Sequence, residues 1–228
     1  MNARKCVAIS AFALVGLFSG CATTTSTVDV GSAQAPAAQA PAVQAPALAA
    51  KGFAKIMEVR DLRRFEAAPK DPSTPSLENA QELKNVAITS RAIARKRGGY
   101  GMAFANVLLP EGRTVELVVR EAVAKALIEQ GYEVVDAKSP QYEKALPMQI
   151  DIDQFWAWFS PGFWQVTVEF RGVLMVKAEG LTGRKEDIVR GSAEVKGMAV
   201  TDTEWKEVVV AGVNDLTKNL KAVIKPAK

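Results

Sequence analysis

Histidine is absent from the 228-residue chain, and cysteine occurs only as Cys6 and Cys21. The lack of histidine removes the commonest metal ligand and the commonest general base, so a conventional Ser-His-Asp nucleophile is excluded. Because both cysteines lie within the first 21 residues, the remainder of the chain contains no thiol. We therefore predict no metal site, no disulfide in the folded part and no enzyme activity.

The chain also has little excess of either charge. It contains 29 lysines and arginines against 25 aspartates and glutamates, a formal net charge of +4 that falls by two when Arg4 and Lys5 are removed. Charge-driven binding to nucleic acid requires a clustered basic face, which so small an excess does not predict. We therefore expect no nucleic-acid partner.

The first 20 residues have the composition of a secretory signal. Arg4 and Lys5 form a positive start, Val7 to Phe18 form an apolar run, and Ser19-Gly20 supplies small residues before the cut. An apolar run of about 12 residues is shorter than the roughly 20 of a membrane-spanning helix, which favours cleavage over a retained helix. The stretch Leu17 to Cys21 resembles the lipobox of bacterial lipoproteins, which implies a covalent lipid on Cys21.

Alanine, proline and glutamine dominate the next segment, 21–50, in which Asp29 is the single charged residue. Gln-Ala-Pro recurs with a five-residue period at 34–36, 39–41 and 44–46. Proline disfavours helix, and small side chains offer little apolar surface to bury. We therefore expect a flexible linker between the lipidated Cys21 and a domain at 51–228. It is either a passive spacer or an element that passes through a wall or through a ring-shaped partner.

Hydrophobic periodicity predicts an α+β domain over 51–228. Two helices each have one apolar stripe, and the later strands are joined by short turns, which predicts a two-layer sandwich with a mainly antiparallel sheet packed by two helices. Thr114 and Gly131 bound the first helix, and Thr201 with Glu204 forms a capping box for the second. Strands are predicted within 53–65, from 86–89 onward, and at 148–152, 164–170 and 189–195.

This order of features resembles the YajG-like bacterial lipoproteins. The resemblance rests on the lipid cysteine and spacer, on a helix ending in Glu129-Gln130-Gly131-Tyr132-Glu133-Val134-Val135, and on three meandering strands before a C-terminal helix. The stretch Arg95 to Met102, ahead of Val115-Glu116-Leu117, is similar to relatives of that group. The resemblance covers about residues 84–225. It implies an anchored, periplasm-facing domain with no established enzyme activity.

Six aromatic residues surround a single turn at 155–164. Strand alternation places Trp156, Trp158 and Trp164 on the parity of the core, and the three phenylalanines on the other face or at the turn. Either the segment 53–65 covers the phenylalanines, or they form an apolar contact for a protein partner or the membrane. The predicted contact residues are Phe155, Trp158, Phe159 and Phe163.

Each of two charged clusters is interpreted either as solvated protein surface or as a binding site. The basic residues before Gly98-Gly99-Tyr100-Gly101 form either a solvated loop or a contact for anionic lipid headgroups. Asp151 and Asp153 point the same way on a strand, either as part of its polar face or as a pair that binds a cation. The predicted anion-contact residues are Arg91, Arg95, Lys96 and Arg97.

Together these features predict an outer-membrane lipoprotein whose domain faces the periplasm. Ala22 after the cysteine resembles the pattern of lipoproteins that are not retained at the inner membrane. We expect a non-catalytic interaction or assembly module that is fixed to the membrane by its lipid and binds an envelope protein. The alternative is a lipid-binding or transport-auxiliary lipoprotein that carries acyl chains between sheet and helices. No cofactor is expected beyond the covalent lipid, and the sequence does not predict the oligomeric state.

Overall fold

A computed structural model describes residues 24–31, 50–98 and 102–227. In this part of the chain, eight strands form one mixed sheet that is accompanied by three α-helices. The predicted signal segment 1–20, Cys21 and the Gln-Ala-Pro repeats lie outside the described residues. The strands are β1 (Ser26–Thr27), β2 (Gly52–Asp61), β3 (Ala92–Arg97), β4 (Ala103–Leu108), β5 (Tyr132–Val134), β6 (Leu146–Pro161), β7 (Val166–Lys177) and β8 (Glu186–Gly197). The helices are α1 (Val86–Thr89), α2 (Val115–Glu129) and α3 (Asp202–Val223).

None of the described helices is long and apolar enough to cross a membrane.

The 16-residue strand β6 lies at the centre of the sheet. One edge of β6 pairs antiparallel with β7, which pairs antiparallel with β8. The other edge pairs in parallel with β2 and then, at Ala157, with β3. Beyond these strands, β4 pairs antiparallel with β3, while β1 and β5 pair in parallel with β4 and β2. The sequence predicted a mainly antiparallel sheet. The sheet is instead mixed, because β2 and β3 both run parallel to β6.

The two long helices begin and end where their caps predicted. The Thr114 side chain accepts a hydrogen bond from the Leu117 amide at the start of α2, and Gly131 follows its end with a φ of 89°. At α3, Thr201 and Glu204 form the predicted capping box. Gln130, directly after α2, links the ends of the two helices. Its side chain donates to the carbonyl oxygens of Lys221, in the last turn of α3, and of Ile224, directly after it. The two helix predictions are therefore confirmed.

The region 86–108 differs from the sequence expectation. The strand predicted from Val86 is a helical turn, because the Asn85 side chain accepts from the Ala87 amide and caps it. Side-chain capping of this kind competes with the β-propensity of Val86 and Ile88. The strand begins only at Ala92, and the expected basic loop is instead the β3–β4 hairpin.

The segment 24–31 also differs from the expected flexible linker. Ser26 and Thr27 form β1 on the edge of β4, and the Val28 side chain is buried. This pairing covers an otherwise open sheet edge with residues of high β-propensity. Farther on, the Gly31 carbonyl accepts from Arg113, and the Lys51 amide donates to Gly131. The described residues on either side of 32–49 thus both contact the domain.

Candidate functional site

One end of the sheet combines the part of the domain nearest to Cys21 in the chain with several turns and a helix start. Here Arg97 of β3 pairs with Ala103 of β4, and Val166 of β7 pairs with both Pro161 and Gly197. Helix α3 begins a few residues later, at Asp202. Since β1 runs parallel to β4, the chain that precedes β1 approaches from this end. We call it the proximal end; it comprises residues 24–26, 96–98, 102–104, 159–166 and 197–205.

The distance from the proximal end to Cys21, the predicted lipidation site, has a covalent upper limit. Thr24 lies three residues after Cys21. An extended chain spans at most about 3.3–3.6 Å per residue, so three residues reach roughly 10 Å. A lipid on Cys21 would therefore hold the proximal end close to the bilayer surface.

The proximal end also presents the most exposed large apolar side chains in the described part of the chain. Phe163 is 90% exposed, Met198 87% and Trp164 82%. The rings of Phe163 and Trp164 form an edge-to-face pair with centroids 4.8 Å apart. Met102, in the neighbouring hairpin, is also exposed. We call these four residues the tip, an apolar surface that water solvates poorly.

The other predicted aromatic contacts are not exposed. Phe155 and Trp158 are buried and Phe159 is half-buried, so of the predicted contact residues Phe163 alone is fully exposed. The register of β6 shifts between Ile152 and Gln154. Such a bulge reverses the facing of every later side chain on the strand.

The reversal exchanges the two aromatic sets. Phe155 joins the large core formed with α2 and α3, where its ring lies 4.9 Å from that of Phe170. Trp156 and Trp158 face the opposite side, where Leu77 and Phe65 pack against them. The alternative that the segment 53–65 covers the phenylalanines differs from the structure, in which Phe65 of that segment packs against Trp156. Trp164, expected in the core, lies in the turn after β6 and is exposed.

The four basic residues are not part of a solvated loop, because they lie on β3 or directly before it and bond to polar groups of the protein. Arg95 is buried and donates to the carbonyl oxygens of Leu77 and Glu78, and burial lowers its pKa. Arg97 bonds to Pro69 and Ser76 in the same covering segment, and Arg91 donates to the Leu109 carbonyl. Lys96 faces the other side, towards Ser26. These contacts assign the cluster to the packing of the domain.

A cavity of about 880 Å³ opens at the proximal end. It lies between the start of α3, the ends of β3 and β6, and the segment that leads into β1. Its volume falls within the range of about 300–1,000 Å³ that is usual for small-molecule sites. The apolar lining residues include Phe104, Phe159, Pro161, Val166, Val200 and Trp205.

The polar side of this cavity contains a serine, a lysine and an aspartate in mutual contact. Lys96 Nζ donates to Ser26 Oγ at 2.5 Å, and Ser26 Oγ donates to Asp202 Oδ1 at 2.6 Å. Lys96 also forms an ion pair with Asp202 at 3.7 Å. A serine nucleophile needs a neighbouring base that accepts its proton, whereas Lys96 acts here as a donor. The three side chains therefore link β1 to the start of α3, and the charges of Lys96 and Asp202 compensate each other.

The carboxylate pair considered from the sequence is separated by the same bulge in β6. Asp151 is buried and accepts a two-pronged hydrogen bond from Arg60, at 2.6 and 2.7 Å, and a third from Lys177 at 2.9 Å. Asp153 is exposed. Among the described residues, no three acidic, histidine or cysteine side chains are grouped to hold a metal ion. Asp151 thus joins β2, β6 and β7.

We predict that Asp151 contributes to stability in a pH-dependent way. The hydrogen bond from Arg60, followed by that from Lys177, lowers the pKa of Asp151 from 3.8 to about 2. A lowered pKa stabilises the fold above the ordinary value, and this contribution is lost as the pH falls towards about 2. In Asp151→Asn, urea midpoints should fall less between about pH 4 and pH 2 than in the parent. The matched variant Asp153→Asn should retain the parent's fall, and an equal fall in both variants would contradict the assignment.

The chain matches no protein-family model and no curated protein. It is similar to a solved structure titled "Crystal structure of uncharacterized protein", with a TM-score of 0.41 and 9% sequence identity. The similarity covers 88% of this chain and 97% of the other.

Proposed function

We propose that the chain is an outer-membrane lipoprotein of the YajG-like kind, whose periplasmic domain rests on the membrane as a non-catalytic interaction module. The observation that carries this proposal is that the tip and the end of the domain nearest to Cys21 coincide. Acyl chains on Cys21 contribute about 0.8 kcal/mol per buried CH₂, so several chains fix the protein to the bilayer. The large mixed sheet, with α2 and α3 contributing to one core, supports the proposal of a two-layer sandwich.

The tip suits a membrane interface better than a distant protein partner. Tryptophan and tyrosine are enriched where a bilayer meets water, because one part of each side chain is apolar and another is polar, and Trp164 is of this kind. Full burial of one such side chain stabilises by about 1.5–3 kcal/mol. Since an anchor at Cys21 already holds the proximal end near the bilayer, Phe163 and Trp164 need little affinity of their own to insert. The domain would then stand on the membrane in one orientation, with the sheet edges and the opposite end free for envelope proteins.

The anchor is tested first in intact cells. In Cys21→Ser, lipid attachment is lost, and we expect the protein to move from the membrane fraction to the soluble periplasmic fraction. The combined variant Phe163→Ser and Trp164→Ser retains Cys21 and should stay in the membrane fraction. Mass spectrometry of the N-terminal peptide shows whether lipid is present. A Cys21→Ser protein that sediments like the parent would contradict the proposal.

The tip is tested with the unlipidated Cys21→Ser protein and vesicles of phosphatidylethanolamine and phosphatidylglycerol. Full insertion of Phe163 and Trp164 into the bilayer would contribute about 3–6 kcal/mol to binding. Phe163→Ser with Trp164→Ser removes this contribution, so even partial insertion predicts at least a tenfold loss of vesicle binding. Co-flotation measures the bound fraction. The matched control is Met57→Ser with Ile188→Ser, which removes two exposed apolar side chains outside the proximal end. Equal losses in the two double variants would argue against a specific role of the tip.

The cavity favours a second candidate function, the binding of an acyl chain. Its apolar lining lies at the end of the domain that the anchor would hold at the membrane. This is the lipid-binding alternative, with the acyl chain placed between the sheet and the start of α3.

A further inference from the structure

We propose that the cavity at the proximal end holds one acyl chain of the protein's own Cys21 lipid. This inference rests on the proposed function, because it requires the lipid. Three features of the cavity carry it: the chemistry of the walls, the position of the wall residue Thr24, and the matched charges beside it.

The walls select a hydrocarbon chain over a charged headgroup. Aromatic and aliphatic side chains of β4, β6, β7 and α3 contribute to the lining. Two cations lie on the polar side: Lys96 is already engaged by Ser26 and Asp202, and Arg97 bonds to the Pro69 carbonyl and Ser76. A bound anion would have to compete with the Asp202 carboxylate for Lys96, whereas an apolar chain leaves that group intact. The occupant that fits without breaking a contact is therefore apolar.

The position of Thr24 selects the protein's own lipid over a lipid drawn from the bilayer. Thr24 lines the cavity and stands three residues after Cys21, a reach of roughly 10 Å. The hydrogen bond from Ser26 to Asp202 and the pairing of β1 hold this segment beside the cavity. Binding of the tethered chain is intramolecular, so it needs no separate encounter with the cavity and the chain cannot diffuse away.

The energetics allow one chain to exchange between bilayer and cavity. The methylene groups of the chain are removed from water both in the bilayer and in the cavity. Moving the chain between the two therefore changes its hydrophobic free energy little. Filling the cavity additionally removes its lining from water, at about 25 cal/mol per Å² of apolar area. The size of the cavity, within the range of single small-molecule sites, provides for one chain rather than for the whole lipid. The remaining chains keep the protein in the membrane.

The experiment uses the full lipoprotein in growing cells that are fed a fatty acid with a photoreactive diazirine. Illumination links each labelled chain to its neighbours, and tryptic digestion releases the lipidated peptide 21–51 and the peptide 197–206, which carries Val200 and Trp205. We expect these two peptides to be joined, with the link located at Val200 or Trp205. A bilayer lipid in the cavity would instead add a phospholipid mass to the same residues. Links at Met198 or Trp164 report only contact of the tip with the bilayer.

A pair of matched substitutions tests whether the link depends on the cavity. Val200→Trp fills the cavity and should abolish the link to Trp205 while links at the tip persist. Val86→Trp adds the same side chain at an exposed position outside the cavity and should leave both unchanged. Near-ultraviolet circular dichroism establishes that both variants are folded, and Val166→Trp replaces Val200→Trp if that variant is not.

Each outcome bears on the proposal. Own-chain links at Val200 or Trp205 that Val200→Trp removes support it. Phospholipid adducts at these residues overturn the assigned occupant, and links confined to the tip overturn the occupied cavity while leaving the membrane-bound lipoprotein intact. A Cys21 peptide without lipid overturns the proposed function and this inference together.

Discussion

Replacement of Arg63 by methionine should lower the free energy of unfolding by about 3–5 kcal/mol, the range found when a buried ion pair loses one partner. The Arg63 side chain is fully buried, and its guanidinium binds the Asp61 carboxylate at 2.6 and 2.8 Å. Methionine has a similar length and leaves the Asp61 charge without its partner. Urea unfolding of the unlipidated Cys21→Ser protein measures the change.

The position of Arg63 in the sheet explains why this loss is large. Along one edge of β6, pairing with β2 ends at Ile152 and pairing with β3 is at Ala157. In this gap Arg63 donates to the carbonyl oxygens of Phe155, at 3.1 Å, and of Ala92, at 2.6 Å. A third bond, at 2.8 Å, reaches the carbonyl of Thr89. Arg63 thus supplies hydrogen bonds where no neighbouring strand pairs with β6. Its removal leaves these buried carbonyl oxygens without a donor, which costs about 1–3 kcal/mol of stability for each.

The neighbouring residue supplies a matched control for this prediction. Arg64 is exposed, so Arg64→Met should change stability by no more than about 0.5 kcal/mol. The double variant Arg63→Met with Asp61→Asn removes the unpaired charge and should recover part of the loss. Equal effects of the two arginine substitutions would mean that Arg63 does not bridge the gap in the sheet.

Local signals predicted the helices well, because a cap consists of residues that are neighbours in the chain. Thr114, Gly131 and the Thr201–Glu204 box act on backbone groups within a few positions of themselves. Alternation likewise predicted strands within β6, β7 and β8. What alternation could not predict is the bulge after Ile152, since the extra residue leaves no compositional mark. That one irregularity reversed the facing of Phe155, Trp156 and Trp158.

The site depends on contacts between residues far apart in the sequence, which explains why sequence reasoning predicted little of it. The cavity unites the segment around Thr24 with β3, the end of β6 and the start of α3. Ser26 and Asp202 are 176 positions apart, and no pattern in either segment indicates the other. The composition of 21–50 predicted a linker, but two β-favouring residues beside an unpaired edge were enough to form β1. Exposure of Phe163 was one of two alternatives that the sequence left open, because the turn itself is local but its covering segment is not.

Gly212→Ala should also destabilise the domain, although alanine is the better helix former. In a helix interior, alanine in place of glycine ordinarily stabilises by about 0.5–1 kcal/mol. Here a Cβ atom on Gly212 of α3 would lie 1.9 Å from Cδ1 and 2.4 Å from Cε1 of Phe170 on β7. The Phe170 ring is itself buried against Phe155, so it cannot rotate away. Overpacking of this kind costs about 1–3 kcal/mol and sometimes more, so the sign reverses.

The close approach of α3 to the sheet recurs one turn later, which makes the contact at Gly212 part of a larger arrangement. Gly172 of β7 and Gly191 of β8 are directly paired, and a Cβ on either would lie 2.6 Å from Leu216. Since α3 also begins at the cavity, a shift of this helix would displace Val200 and Trp205 together. Thermal unfolding of Gly212→Ala should therefore show a lower midpoint, and Phe170→Leu in the same chain should restore part of it. Gly183→Ala, whose Cβ meets no atom closer than 3.9 Å, should leave the midpoint nearly unchanged. A midpoint for Gly212→Ala at or above the parent value would show that α3 can move away from β7 at little cost.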